Sequence, residues 1–459
     1  MNKMKITAAL AWGVGMVAAG AFAKGWNVNY DETKIAPYTL EDPLVFADGT
    51  RLKSAADWPR RRAEIVDIFA KEMYGRIPPA PEAVVTELKE EGPTLAGMAI
   101  RRQYRMWFKK DKTGPFVDWL VIIPNRIQGQ SPKKDAAGRV ICENKEKCPV
   151  MLMLNYCGNH SILNDKEVFA PPPGTWMTDS YSQPGDHEPK EELRGKMRDS
   201  QFRAPLPVEM ICARGYALMT ACYTQISPDR CHDFKAGKDG PALNYTGVFD
   251  LWPKREEGAT DNITSLGAWA WAMSRGLDFA FTISEIDAKR NVATGYSRLA
   301  KTPLLACSRD ERFAVCIPNQ TGGGGCPLAK RDYGESVFTE VRNFPHWYCR
   351  AYDKYSDNEQ AMKFDQHLLL ASIAPRPLLV QGFNSGWFDT KGEYLAVKAA
   401  SSAWKFLGKK GLPEGDFPAN FDTSLIGPDL GYVRRGGEHG INGYDWVWTL
   451  DFADRALGR

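Results

Sequence analysis

The sequence predicts an α/β protein with a mostly parallel central sheet and helices on both faces, a three-layer sandwich. Three observations predict it. Apolar runs recur at 149–154, 216–221, 292–294, 313–317 and 377–381, and unbroken apolar runs are what strands buried on both faces require. Stretches of helical period separate them, and strands alternating with helices make a parallel sheet. The third run leads into Gly295-Tyr296-Ser297-Arg298-Leu299-Ala300-Lys301 and then into a helical segment, 302–307. That is a strand, a tight turn with a serine at its tip, and a helix.

Taken in order, the chain opens with Lys3 and Lys5, an apolar run of small residues over 6–18, and Ala21-Phe22-Ala23. This reads as a secretory signal peptide, residues 1–23, cut before Lys24. The other reading is a membrane anchor, for which an Ala- and Gly-rich run is a weak span. A secreted or periplasmic mature chain, 24–459, is expected to form one catalytic domain. Trp58 to Tyr74 has helical period, with Arg60, Arg61, Arg62 and Glu64 on its solvated side. Residues 98–108 alternate like a strand, and 119–124 form another. The charged stretch 128–147 reads as a surface loop. A helix is expected over 208–214. A longer one over 263–281 turns Leu266, Trp269, Ala272, Met273, Leu277 and Ala280 to one side, widened by Trp271 and Phe281. The Pro-, Gly- and charge-rich segment 170–205 reads as an insertion or active-site loop.

Composition narrows the function. Of 459 residues, 43% are hydrophobic and 25% charged, and the net charge of +3 gives no case for nucleic acid or a membrane surface as partner. The 14 Trp and 17 Tyr offer rings that stack on sugars, although most will serve packing. Among the ten Cys, Cys142 with Cys148 and Cys222 with Cys231 are close enough to pair in an exported chain, but spacing does not decide pairing. Cys157, Cys212, Cys222, Cys307 and Cys316 lie in apolar runs and read as buried thiols. No spacing suits zinc, so no structural metal is expected.

A serine hydroxyl is a weak nucleophile and needs a base within reach. A turn with Gly295 holds Ser297 clear of the backbone, and the next amide, opening a helix, points at a developing oxyanion. The bland alternative is a serine at a helix N-cap. Six His are available, at 160, 187, 232, 346, 367 and 439. In α/β-hydrolases the order is Ser, acid, His, with the His after the last strand. Only His439 has that place. The acid should follow one of two intervening strands. After 313–317 there is no nearby carboxylate; after 377–381 the first is Asp389. Asp389 reads equally as the N-cap of a helix beginning near Lys391.

These residues carry a resemblance. Tyr30-Asp31-Glu32, Asp42-Pro43-Leu44, Tyr74 to Pro78, Asn155 to His160, Gly295 to Lys301, Gly334-Glu335, Phe344 to Trp347, Phe364 to His367, Ala374 to Pro377 and Gly437 to Trp446 together resemble the bacterial glucuronoyl esterases, carbohydrate esterase family fifteen. The resemblance spans nearly the whole mature chain. It implies an α/β-hydrolase fold and a metal-free serine esterase without cofactor. Such an enzyme cleaves esters between (4-O-methyl)glucuronate on xylan and lignin alcohols. It implies Ser297 as nucleophile, His439 as base, Arg298 in the oxyanion hole, and Lys301, Glu335 and Trp387 around the uronate. Glucuronoxylan or a glucuronate ester is the expected partner of a monomer.

The departures are Tyr296 and Ala300 in the elbow, and Gln320 and Ser385 at the two places where the family carries its acid. Asp389 is the substitute if its loop turns inward. Gln320 would otherwise orient His439 through the ring N–H. Other readings are a related carbohydrate esterase, such as an acetyl xylan esterase, and a non-catalytic sugar-binding relative.

Overall fold

The computed structural model describes residues 28–125, 135–136, 146–175, 177–180, 183–187, 191–199, 202–229, 244–418 and 423–459. The expected signal peptide, Cys142, Cys231 and His232 lie outside them.

In chain order the elements are α1 (Trp58–Glu72), β1 (Val85–Thr94), β2 (Ala99–Trp107), β3 (Phe116–Pro124), β4 (Cys148–Asn155), β5 (Met177–Ser180) and β6 (Gln183–His187). Next come α2 (Val208–Ala213), β7 (Ala217–Cys222), α3 (Tyr223–Ile226), α4 (Ser265–Ala280), β8 (Ile286–Tyr296), α5 (Arg298–Arg309) and β9 (Val315–Asn319). The chain continues with α6 (Val337–Asn343), α7 (Gln366–Ala371), β10 (Leu378–Phe383), α8 (Thr390–Phe406), β11 (Thr423–Ile426), β12 (Leu430–Arg435) and α9 (Gly443–Ala456). Ten strands form one sheet in the order β1-β2-β3-β7-β4-β8-β9-β10-β12-β11, and β5 and β6 pair separately. From β7 to β12 every neighbour is parallel; β1, β2 and β3 on one side and β11 on the other are antiparallel.

The five apolar runs become β4, β7, β8, β9 and β10. Their reason for being apolar throughout is visible in β4. Val150, Leu152 and Leu154 pack into one core with α4, α5, α7 and α8. Met151 and Met153 pack into a second core with α2 and α9. Residues of alternate parity thus meet a different helical layer, and both layers exclude water. The edge strand β1, read over Val-Thr-Glu-Leu-Lys-Glu-Glu-Gly-Pro-Thr, has no such pattern because it is largely open to solvent.

Two expectations need correction. Phe281 does not widen the apolar face of α4. It caps the helix C-terminus and is 46% exposed, whereas Trp271 is buried. Arg61 is not solvated. It is buried, with Nε donating to the Pro43 carbonyl and Nη1 to Glu64, which is how a charge is tolerated inside. Cys157, Cys212, Cys222, Cys307 and Cys316 are buried.

The strand order fixes where a ligand can sit. The chain leaves β4, places β7 on one side of it, then returns to place β8 on the other. A crevice forms beyond the carboxyl ends at such a reversal. The residues after β4, β7, β8, β9, β10 and β12 all converge there. Among the described residues no helix is long and apolar enough to cross a membrane.

Candidate active site

Ser297 sits between the last residue of β8 and the first of α5, with φ 56° and ψ −129°. A non-glycine residue there is strained, and strain persists only where the surroundings enforce it. Three contacts do so. The Ser297 amide donates to the Asn319 carbonyl at 2.9 Å. The Tyr156 hydroxyl donates to the Tyr296 carbonyl at 2.5 Å. Residue 295 must be glycine, because a Cβ there would lie 2.0 Å from the Leu299 carbonyl oxygen. The second glycine of a standard elbow is not needed: Leu299 and Ala300 are buried in the helix that packs on the sheet.

His439 lies on the turn after β12, and its ring packs at 4.9 Å from the ring of Tyr296, the neighbour of Ser297. Phe383 stacks on it at 5.3 Å and Phe388 lies at 4.5 Å. Burial, followed by the positive charges of Arg203, Arg298, Lys301 and Arg435, holds the imidazole well below its ordinary pKa of 6.5. The ring is therefore neutral and able to accept a proton.

The turn carrying His439 is clamped at Gly440. Gln320 Nε2 donates to the Gly440 carbonyl at 2.7 Å, and its Oε1 accepts from the Gly440 amide at 3.0 Å. Arg435 Nη2 donates to the same carbonyl at 2.5 Å and to that of Glu438 at 3.0 Å. Arg435 is itself held by a buried ion pair with Asp445 at 3.0 Å. The Gln320 amide thus grips the backbone of the turn, in place of the expected bond to the imidazole.

Asp389, the acid expected from the sequence, is instead the cap of α8. Its Oδ1 accepts from the Gly392 amide at 3.0 Å, and its Oδ2 from Arg331 Nε at 2.8 Å. Arg331 also pairs with Glu32 at 2.6 Å. A buried guanidinium and an orphan helix amide satisfy both oxygens of the carboxylate where it stands. Burial raises the Asp389 pKa, against the pull of Arg331. Ser385 Oγ accepts from the Phe388 amide at 3.2 Å and shapes the same loop.

Lys301 is one turn beyond Arg298 on α5, buried, with Nζ 4.9 Å from the ring centre of Trp347. It is not a solvated lysine. Burial lowers its pKa, against the attraction of Glu335 and Glu340. Glu335 accepts from the Gly323 amide at 2.8 Å, and burial raises its pKa against Lys301. Arg331, four residues before Glu335, pairs instead with Asp389 and Glu32. The Glu335 amide donates to the Trp387 carbonyl at 2.7 Å, which sets Trp387 beside it. The structure therefore brings Arg298 and Lys301 within electrostatic reach of both His439 and Glu335, with Trp387 beside Glu335 and Ser297 next to Arg298, and ties Asp389 to Arg331 and α8.

One residue escaped the sequence reading. Asp229, in the loop after α3, is fully buried and bonds to Arg298 Nη1 at 2.7 Å. A lone Asp in a polar loop has no spacing that announces it. The only signal was indirect: His346 and Trp347, quoted as part of a motif, both reach it. Among the described residues no group of His, Cys, Asp or Glu is arranged to hold a metal ion.

A profile of fungal glucuronyl esterases matches residues 244–408. The carbohydrate esterase MZ0003, from an unknown prokaryotic organism, is 33% identical over 444 residues, which cover 95% of this chain and 94% of that one. A promiscuous CE15 esterase from a marine bacterial metagenome superposes with a TM-score of 0.80 at 30% identity, over 94% of this chain and 100% of the other. A glucuronoyl esterase from Solibacter usitatus gives 0.78 at 32% identity, over 93% and 100%.

Proposed function

Since the chain belongs to the glucuronoyl esterases of carbohydrate esterase family fifteen, we propose that it hydrolyses esters of (4-O-methyl)glucuronic acid, with Ser297 as nucleophile and His439 as base. The observation that carries this reading is the strained Ser297 at the tip of the β8–α5 turn, with the imidazole of His439 against the adjoining Tyr296 ring.

The chemistry follows from the placement. Ser297 Oγ attacks the ester carbonyl while His439 takes its proton. The carbonyl oxygen becomes an oxyanion, facing the amide at the N-terminus of α5 and the guanidinium of Arg298. Fixed donors and a fixed cation stabilise that charge without reorganising. Collapse breaks the carbonyl–alkoxide bond, and the alcohol leaves with the proton from His439. Water, deprotonated by His439, then attacks the glucuronoyl-Ser297 ester and frees the acid. Lys301, Glu335 and Trp387 would hold the uronate, the first two by its hydroxyls and the third by its ring face. The apolar run at 6–18 and Ala21-Phe22-Ala23 support export of the chain to where plant cell wall glucuronoxylan and its lignin esters are found.

The test is hydrolysis of benzyl glucuronate by the mature chain and by Ser297→Ala, beside a panel of acetyl esters of xylose. Turnover by the parent and a fall of roughly 10⁶-fold in Ser297→Ala supports the reading, since loss of a serine nucleophile costs about that much. Turnover of the acetyl esters alone would transfer the chain to the acetyl xylan esterases. A serine-directed phosphonate that fails to label Ser297 would favour a sugar-binding relative.

A further inference from the structure

The loop after β7 carries a carboxylate with an unusual set of partners. Asp229 has a side chain with no solvent exposure. Both of its oxygens are doubly occupied. Oδ1 accepts from Trp347 Nε1 at 2.8 Å and lies 2.7 Å from His346 Nε2. Oδ2 accepts from the Tyr223 hydroxyl at 2.9 Å and from Arg298 Nη1 at 2.7 Å. Four partners come from three places in the chain: α3, the α5 N-terminus, and the adjacent His346 and Trp347 after α6. Nothing in the ester mechanism uses any of them except Arg298.

A buried ion pair of this kind is not retained for stability alone, because desolvating two charges offsets most of their attraction. Its effect is geometric. An arginine side chain has many rotamers, and a catalytic cation must have lost that freedom before the reaction begins. Here one edge of the guanidinium fork is tied to Asp229. Its Cζ lies 5.1 Å from the Trp347 ring centre and 5.5 Å from that of Phe344, and those two rings stack at 3.8 Å. The cation is held by an ion pair and by two aromatic rings.

A carboxylate so close would also cancel the field that an oxyanion needs. The other three donors reduce that cost. Tyr223, Trp347 and His346 draw the negative charge of Asp229 away from Arg298 by hydrogen bonding. Among the described residues His346 Nδ1 is buried without a partner, so the ring joins this network through Nε2 alone. The network then sets one carboxylate against one guanidinium, with the Tyr223 hydroxyl and the Trp347 indole sharing the carboxylate. Burial raises the Asp229 pKa, but the Arg298 charge and the His346 bond overcome it and keep the carboxyl ionised well below its usual range.

We infer that Asp229, supported by Tyr223, His346 and Trp347, is a positioning residue that fixes Arg298 for oxyanion stabilisation. The inference rests on the reading of Arg298 given above.

The experiment is a double-mutant cycle on benzyl glucuronate, with kcat and KM measured for the mature chain, Asp229→Asn, Arg298→Ala and the double variant. Asparagine at 229 can still accept from Trp347 and His346, and its amide can donate to a turned Tyr223 hydroxyl. It cannot accept Arg298 on that side. Asp229→Asn is expected to lower kcat about 100-fold with KM little changed, a size typical of one lost oxyanion contact. The double variant is expected to be no slower than Arg298→Ala alone. If Arg298→Ala is impaired but Asp229→Asn retains kcat, or if the two losses multiply, the positioning role is wrong and the Arg298 reading survives. If Arg298→Ala itself retains kcat, both fall. Should Asp229→Asn fail to fold, Tyr223→Phe decides. It removes one donor from the same oxygen, and its expected several-fold loss of kcat must vanish in the Arg298→Ala background.

Discussion

Gln320 and Gly440 are joined by both ends of one side-chain amide, at 2.7 Å and 3.0 Å, across the gap between the end of β9 and the turn that carries His439. Gln320 adopts φ 56° to do this, and its own amide donates to Gln381 at 2.7 Å. Gln320, at a position where the resemblance leads one to expect a carboxylate, is a clamp on the backbone of the turn that carries His439. The nearest consequence concerns that clamp.

Replacing Gln320 with Glu removes the donor to the Gly440 carbonyl and sets a negative oxygen against it. Arg435 still donates to that carbonyl, so the expected fall in stability, about 1–3 kcal/mol, comes from the lost hydrogen bond and from a desolvated carboxylate without a donor. Urea denaturation measures it. If the new carboxylate turns to the imidazole instead, the acid limb of the kcat/KM profile moves to higher pH, because a neighbouring anion stabilises the imidazolium. An unchanged midpoint together with an unchanged profile would show that the clamp contributes nothing.

Asp389→Asn tests the acid from the other side. Arg331 would keep a buried charge with only Glu32 to answer it, and α8 would lose part of its cap. Breaking a buried pair from one side costs about 3–5 kcal/mol. The variant is expected to unfold at lower urea while its folded fraction keeps kcat within a few-fold of the parent. A parent-like midpoint with kcat down by about 10⁴, the cost of an uncharged triad acid elsewhere, would return Asp389 to the triad.

The pH dependence follows from the surroundings of His439. Burial and four neighbouring cations favour its neutral form, so its pKa lies well below 6.5. A base that must be unprotonated stays competent as pH falls through 6.5, and kcat/KM is expected to decline only below that. Arg203→Ala removes one of the cations, which raises the imidazole pKa and moves the acid limb toward higher pH. A limb at or above 6.5 in the parent would contradict this description of the site.

Much of the site was legible in the sequence because its signals are local. Gly295, Ser297 and the helix behind them occupy consecutive positions, so a strained turn leaves a short and specific pattern. His439 was found by chain order. Asp389 was placed in the correct loop but left between two roles, since both need an acid just before a helix, and only Arg331, 58 residues away in sequence, separates them. Asp229 left no pattern at all, because its four partners are far from it in sequence or share no period with it.

The sequence by itself determined the layered sheet, the turn that carries Ser297 and the place of His439 after the last parallel strand. Each follows from apolar runs, a glycine and a fixed succession of elements, which are properties of neighbouring residues. The tertiary structure alone decided which polar groups meet: Asp389 with Arg331, Asp229 with Arg298, and Gln320 with the turn of His439. Those pairings form where strand ends from distant parts of the chain converge, and burial there makes each polar group take the partner that geometry brings within reach.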